Sequence, residues 1–215
     1  MVEGFVLAGG ASRRMGFDKA RAFWDGLPLA LAVARSLEAV CDRVALVRRV
    51  DDGLPWRFAD GRDAEVVWEA ADGDRHPLWG VVTALEAATS DVVLIAPCDV
   101  PGISVRSWTT LADQAPSVAW DEARPHPLIA ALPRTLADRA RELARAGAPA
   151  HALGDDLRAV RLPTEELRDH DDPSGLASPI RRLLDRVPVR DPEARARIAE
   201  GERQRLLSLG IVDIY

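Results

Sequence analysis

The stretch Glu3-Gly4-Phe5-Val6-Leu7-Ala8-Gly9-Gly10-Ala11-Ser12-Arg13-Arg14-Met15-Gly16-Phe17-Asp18-Lys19 decides how the rest of the chain is read. Phe5-Val6-Leu7-Ala8 is a short apolar run, as expected of a strand covered on both faces. It opens at once into Gly9-Gly10-Ala11-Ser12, small residues that let the backbone turn sharply and approach a ligand closely. Arg13, Arg14 and Lys19 then gather three positive charges within seven positions. A strand that ends in a glycine turn edged with cations suits a polyphosphate, which needs backbone N–H donors in front of it and charge beside it. The glycine spacing fits neither a P-loop nor the G-x-G-x-x-G dinucleotide turn. An ordinary glycine-rich turn accounts for Gly9 and Gly10 but not for the cations that follow.

Working outward, Asp25-Gly26 is a turn signal and Pro28 suits a first helical position. Apolar residues recur at helical spacing from Leu29 to Val40. Val44 to Val47 predicts a second strand, and Ala64 to Trp68 a third that ends at Glu69. Between them, residues 48–63 read as a loop over the sheet, with Trp56 and Phe58 as packing residues. A polar loop over 72–80 feeds a helix from about Leu78 to Thr89. Asp91 to Ala96 is the clearest buried strand, and it ends in Pro97-Cys98-Asp99-Val100-Pro101. Strand and helix alternate, which predicts a three-layer α/β domain with a mostly parallel sheet. Ligands of such sheets lie outside the carboxyl ends of the strands, where the glycine turn, Glu69 and Asp99 converge.

The second half is more mixed. A helix over 104–115, a hairpin over 118–132, a helix over 134–146 closed by Gly147, and a strand over 157–162 are expected. Asp169 to Pro173 is an acidic turn before a helix near 174–186. Pro188 and Pro192 bound a linker, and a charged helix with a thin apolar stripe is expected over 191–209. The chain therefore divides into a domain over 1–186 and a helical extension over 187–215, whose stripe would dock on the domain or on a second copy. A hydrophobic fraction of 47% supports a core without metals or disulfides, and Cys41 and Cys98 have no zinc or disulfide spacing. The net charge of -6 argues against nucleic acid as a partner. No apolar run reaches the ~18 residues that span a bilayer. A cytoplasmic protein without a membrane partner is expected.

The string Leu7-Ala8-Gly9-Gly10-x-Ser12-x-Arg14-Met15-Gly16-x-Asp18-Lys19 resembles the signature of nucleotidyltransferases related to molybdenum cofactor guanylyltransferase. Asp25-Gly26-Leu27-Pro28-Leu29, His76-Pro77-Leu78-Trp79-Gly80, Pro97-Cys98-Asp99-Val100-Pro101, His126-Pro127-Leu128 and Asp169-x-Asp171-x-Pro173 resemble further segments of that family, in order, up to about residue 186. The resemblance implies a Rossmann-like nucleotidyltransferase domain that moves a nucleoside monophosphate, GMP from GTP, to the phosphate of molybdopterin and releases pyrophosphate. It implies nucleotide contacts from Leu7, Ala8, Gly9, Gly10, Ser12, Arg14, Lys19, Glu69 and Asp99. Arg14, Lys19 and Asp99 would be catalytic, and Asp99 would hold Mg²⁺ with Lys19 approaching from the opposite side. Asp171 is a weaker second metal ligand, because Asp-Asp-Pro also makes an ordinary helix-entry turn. His126 and His170 show no partner in the sequence and read as structural.

Two positions depart from the family pattern. His76 stands where a glycine is usual, which would narrow the nucleoside pocket. At the end of the second strand the guanine-specific members carry an asparagine, and this chain offers Val47. Base selection is therefore expected to rest on backbone near Leu7 and Gly10 together with Glu69. The alternatives are a cytidylyltransferase acting on molybdopterin, a transferase acting on another small phosphorylated acceptor, and a non-catalytic nucleotide-binding partner protein.

Overall fold

The apolar runs at Phe5, Val44 and Asp91 become strands covered by helices, and the run at Ala64 becomes a part-exposed edge strand. A computed structural model describes residues 1–10, 18–49, 55–58, 60–69 and 76–170. In chain order these form β1 (Val2–Leu7), a short hairpin of β2 (Phe23–Trp24) and β3 (Leu27–Pro28), α1 (Leu29–Glu38), β4 (Arg43–Arg48) and β5 (Glu65–Trp68). They continue with α2 (Pro77–Ala87), β6 (Val92–Pro97), α3 (Val105–Asp113), β7 (Ser117–Trp120), β8 (Pro125–Pro133), α4 (Ala137–Arg145) and β9 (Arg158–Arg161). Seven strands form one sheet in the order β5-β4-β1-β6-β8-β7-β9. Among the described residues only β8 runs against the others, being antiparallel to both β6 and β7. The three-layer, mostly parallel α/β architecture is as expected.

The period of two along each strand divides the core. Val6, Leu46 and Leu94 share one face with Trp108 and Leu111 of α3 and with the buried side of α1. Phe5, Ala45, Val47, Val93 and Ile95 share the other with Leu78, Val81 and Leu85 of α2 and Leu143 of α4. Each such large side chain contributes about 1.5–3 kcal/mol on burial. The Trp108 indole donates to Ser36 Oγ at 3.0 Å, which joins α3 to α1 without leaving a buried donor unmade. Trp56 and Phe58 are buried in the first face, so the packing role holds.

Two turns show why these elements stop where they do. Asp25 and Gly26 both have positive φ, 47° and 84°, the geometry a two-residue hairpin needs between β2 and β3. Pro28 is thereby drawn into β3, where it pairs with Phe23, and α1 starts one residue later than the sequence suggested. Gly147 at φ 63° follows the end of α4. Residues 134–136 form a 3₁₀ turn ahead of α4, so the expected helix from 134 begins as a tighter coil. Both the predicted acidic turn from Asp171 onward and the 187–215 extension lie outside the described residues.

Candidate active site

The strand ladders continue past the ends of β1, β4, β5 and β6, and this carries the site residues into position. Ala8 N–H donates to the Val47 carbonyl at 2.9 Å, Cys98 N–H to Leu7 at 3.2 Å, and Glu69 N–H to Arg48 at 2.7 Å. The segments thus emerge side by side at the carboxyl edge, around the point between β1 and β6 where the strand order switches direction across the sheet. A cavity of about 580 Å³ opens there. Leu7, Ala8, Gly9, Gly10, Lys19, Glu69 and Asp99 all line it, together with Asp18, Arg49, His76, Gly80 and Cys98. Of the sequence-predicted residues, Ser12, Arg14 and Asp171 lie outside the described residues.

At one end of the cavity Lys19 Nζ donates to Asp99 Oδ2 at 2.8 Å. This corrects the expectation that Lys19 approaches from the side opposite Asp99: the two side chains meet directly, at 10% and 24% exposure. Lys19 is placed by a 3₁₀ turn over 19–21, which Asp18 caps by accepting from Ala20 N–H at 3.0 Å. The Asp99 carbonyl accepts from His170 N–H at 3.0 Å, so the chain just before Asp171 is tied to the metal-motif loop. Burial pushes the neighbouring Cys98 thiol far above the usual thiol range, aided by Asp99 and Asp18, so it stays protonated and is no nucleophile.

The donor set around Asp99 tests the implied metal. Among the described residues no three His, Cys, Asp or Glu side chains converge. The carboxylates beside Lys19 among the described residues are Asp99 and Asp18, and Asp18 is engaged by Arg48 at 2.7 Å. Asp99 itself is held at Oδ2 by Lys19; a single hard carboxylate of this kind fits Mg²⁺ arriving with phosphate oxygens, which it prefers, and does not fit a metal held by protein alone.

Glu69 lines the same cavity. Cβ atoms built on Gly9 and Gly80 would lie 2.6 and 3.2 Å from its Oε1, so the two glycines make the room that carboxylate occupies. Burial raises its pKa, and the nearby Arg49 charge works against that rise. The expectation about Val47 is corrected. Its side chain is fully buried against α2, and the alternation that puts it there brings Arg49, two residues on, to the cavity. His76 also lines the cavity, and its Nδ1 accepts from Leu78 N–H at 3.2 Å. The histidine in place of glycine therefore caps α2.

Two residues the sequence left without partners gain them. His126 Nε2 sits 2.9 Å from Asp121 Oδ2, while Asp121 Oδ1 accepts from the amides of Ala123 and Arg124. The His126 bond and those amides hold the Asp121 carboxyl down to about 2. The pair pins the β7–β8 turn. The His170 ring lies 6.1 Å from that of Trp24. Sequence reasoning missed Arg48 and Arg49; their signal was two adjacent cations closing a strand at the ligand edge.

Residues 4–161 match the family model for the MobA-like NTP transferase domain. A molybdenum cofactor guanylyltransferase from Mannheimia succiniciproducens is 33% identical over 133 residues, 59% of this chain and 68% of the relative. One from Burkholderia cenocepacia is 32% identical over 149 residues, 64% of this chain and 73% of the relative. The match spans 63% of a relative from Synechococcus elongatus, less than two thirds of its length. Molybdopterin-guanine dinucleotide biosynthesis protein A from Archaeoglobus fulgidus shares the fold, with a TM-score of 0.58 at 20% identity over 94% of this chain and 99% of its own. The family model takes in well over half of the chain, including the glycine turn, Lys19, Glu69 and Asp99. This chain belongs to the MobA-like NTP transferase family and is a nucleotidyltransferase enzyme.

Proposed function

We propose that this enzyme transfers GMP from GTP to the phosphate of molybdopterin and releases pyrophosphate. The reading is carried by one juxtaposition: a single cavity is lined by Gly9 and Gly10, by the Lys19–Asp99 pair and by the half-buried Glu69 carboxylate, which Gly9 adjoins. The names of the relatives supply the acceptor. An oxygen of the acceptor phosphate attacks the α-phosphorus, and the bond from that phosphorus to the β-phosphate oxygen breaks. The protein has little covalent work to do; it aligns the reactants and stabilises charge as it spreads. Gly9 and Gly10 offer amides to the phosphates, and Lys19, with Arg14, stabilises the departing pyrophosphate. Mg²⁺, when bound at Asp99 and the phosphate oxygens, would neutralise part of the same charge.

Glu69 reads the base. Its carboxylate accepts from the N1–H and exocyclic amine of guanine together, an arrangement that adenine and cytosine do not match. Arg49 beside it supplies donors suited to the guanine O6 edge. The test is pyrophosphate release with each of the four NTPs and Mg²⁺, with and without molybdopterin. GTP turnover that depends on molybdopterin is expected, and Glu69→Gln should weaken GTP use more than use of any other nucleotide. Preference for CTP in the wild-type enzyme would replace the guanylyl assignment with the cytidylyl one.

A further inference from the structure

We infer that Arg48 is a positioning residue of the nucleotide site: its guanidinium fixes the Gly9-Gly10 amides relative to the Lys19 ammonium. The inference rests on the nucleotide-binding reading above and goes beyond it to a residue that need not touch the ligand. Arg48 closes β4 and is 5% exposed. Its Nη1 donates to the Ala8 carbonyl at 2.8 Å and to Asp18 Oδ2 at 2.7 Å. Ala8 directly precedes the glycine turn, and Asp18 directly precedes Lys19 and caps its 3₁₀ turn. One nitrogen therefore ties together Ala8 and Asp18, which lie ten positions apart on the connection that follows β1. The guanidinium lies 4.8 Å from the centre of the buried Trp56 ring, which fixes the plane of the fork.

Packing alone does not call for an arginine here. Val44 and Leu46, which precede Arg48 at strand spacing, turn apolar side chains to the same face. A buried cation is costly where an aliphatic residue would fill the space, and replacing a buried ion pair by apolar groups is often neutral for stability. What the guanidinium provides here is a planar Nη1, oriented beside the Trp56 ring, that donates to a carbonyl and to a carboxylate at once. The backbone of Arg48 acts elsewhere: its carbonyl accepts from Glu69 N–H, a bond that survives a change of side chain. The side chain thus serves the Gly9-Gly10 and Lys19 segments, and the backbone serves Glu69.

That division gives the test, which measures binding in the full-length protein by calorimetry with two probes, tripolyphosphate and guanosine. Arg48→Met keeps a long apolar stem over Trp56 and removes the donors. It should lose at least about tenfold in tripolyphosphate affinity and leave guanosine affinity within about twofold. Arg48→Lys, which keeps the charge but loses the planar guanidinium and its fixed orientation, should melt like the wild type and show the same split at smaller size. It decides the matter alone if Arg48→Met does not fold. Wild-type tripolyphosphate binding in a folded variant, or equal loss for both probes, overturns the positioning role. A wild-type protein that binds neither probe would instead overturn the nucleotide-binding reading itself, so the two failures are distinguishable.

Discussion

At Glu69 burial raises the carboxyl pKa and the Arg49 charge opposes the rise, so the folded chain holds that proton more readily than the unfolded one. Between the unfolded and folded pKa values the folded state binds more protons, and stability falls as pH rises through that window. Above it the penalty is complete. Glu69→Gln should therefore melt higher than the wild type at pH 7, with the gap closing as pH falls below the ordinary glutamate value near 4.5. Thermal melts at both pH values check this. The same change should weaken GTP use, so stability and base recognition pull in opposite directions at one atom. Asp99 behaves differently. Asp99→Asn leaves an oxygen for Lys19 but removes the charge suited to the metal, and we expect a rate loss on the order of 10²-fold or more with a near-normal melt. Lys19→Ala should slow transfer by withdrawing charge from the leaving pyrophosphate, and added Mg²⁺ should not restore it. Because the two side chains are 2.8 Å apart, their effects should combine less than additively. Wild-type turnover in a folded Asp99→Asn protein would remove the metal site from the proposed mechanism.

The sheet is pinned at the end away from the cavity by a single acidic residue of β1. Glu3, 2% exposed, accepts from the amides of Thr89 and Ser90, from the Thr89 hydroxyl and from Arg43. Burial pushes its carboxyl up, but these bonds outweigh burial and hold it below its ordinary value. A depressed carboxylate stabilises the fold above the unfolded pKa, and that contribution is lost as pH falls through the folded value. Glu3→Gln turns an amide N–H₂ donor toward donors that a carboxylate oxygen had satisfied and removes the charge facing Arg43, and should cost on the order of 3 kcal/mol at pH 7 and less in acid. Urea unfolding at pH 7 and pH 3 measures the difference. This pin and the cavity show what was legible in the sequence. Phe5–Leu7, Ala45–Val47 and Val93–Ala96 read as strands because cover on both faces demands unbroken apolar runs. Gly9, Glu69 and Asp99 read as neighbours because parallel strands deliver their carboxyl ends to one edge. The Lys19–Asp99 and Glu3–Thr89 contacts join residues 80 and 86 apart, and no local period encodes them. Val47 was misassigned for a local reason: the side chain facing the cavity comes two residues after it, beyond the last strand pair of β1 with β4.

The whole molecule carries a net charge of -6, yet Lys19, Arg48 and Arg49 stand together at the carboxyl edge of the sheet. They stand there among Asp99, Asp18 and Glu69, so cations are held in place beside carboxylates and no broad basic surface is offered by this edge. Every strand of the seven-stranded sheet, and every described residue of the cavity, falls within residues 1–161. The matched family region ends at the same point. The chain beyond carries Asp171 and then the 187–215 segment, whose Ala194, Ile198, Leu206 and Leu209 recur at helical spacing among charges. A stripe that thin does not stabilise a lone helix in water, so its worth must come from a surface that covers it. Deleting residues 187–215 should therefore leave GTP turnover largely intact while lowering the melting temperature, if the segment docks on its own domain. If it docks on a second copy, the mass in solution should fall instead, as light scattering would read. Loss of all activity in a truncated protein that melts and elutes like the full chain would place the extension in the site, and the acceptor end of the cavity would then have to be sought there.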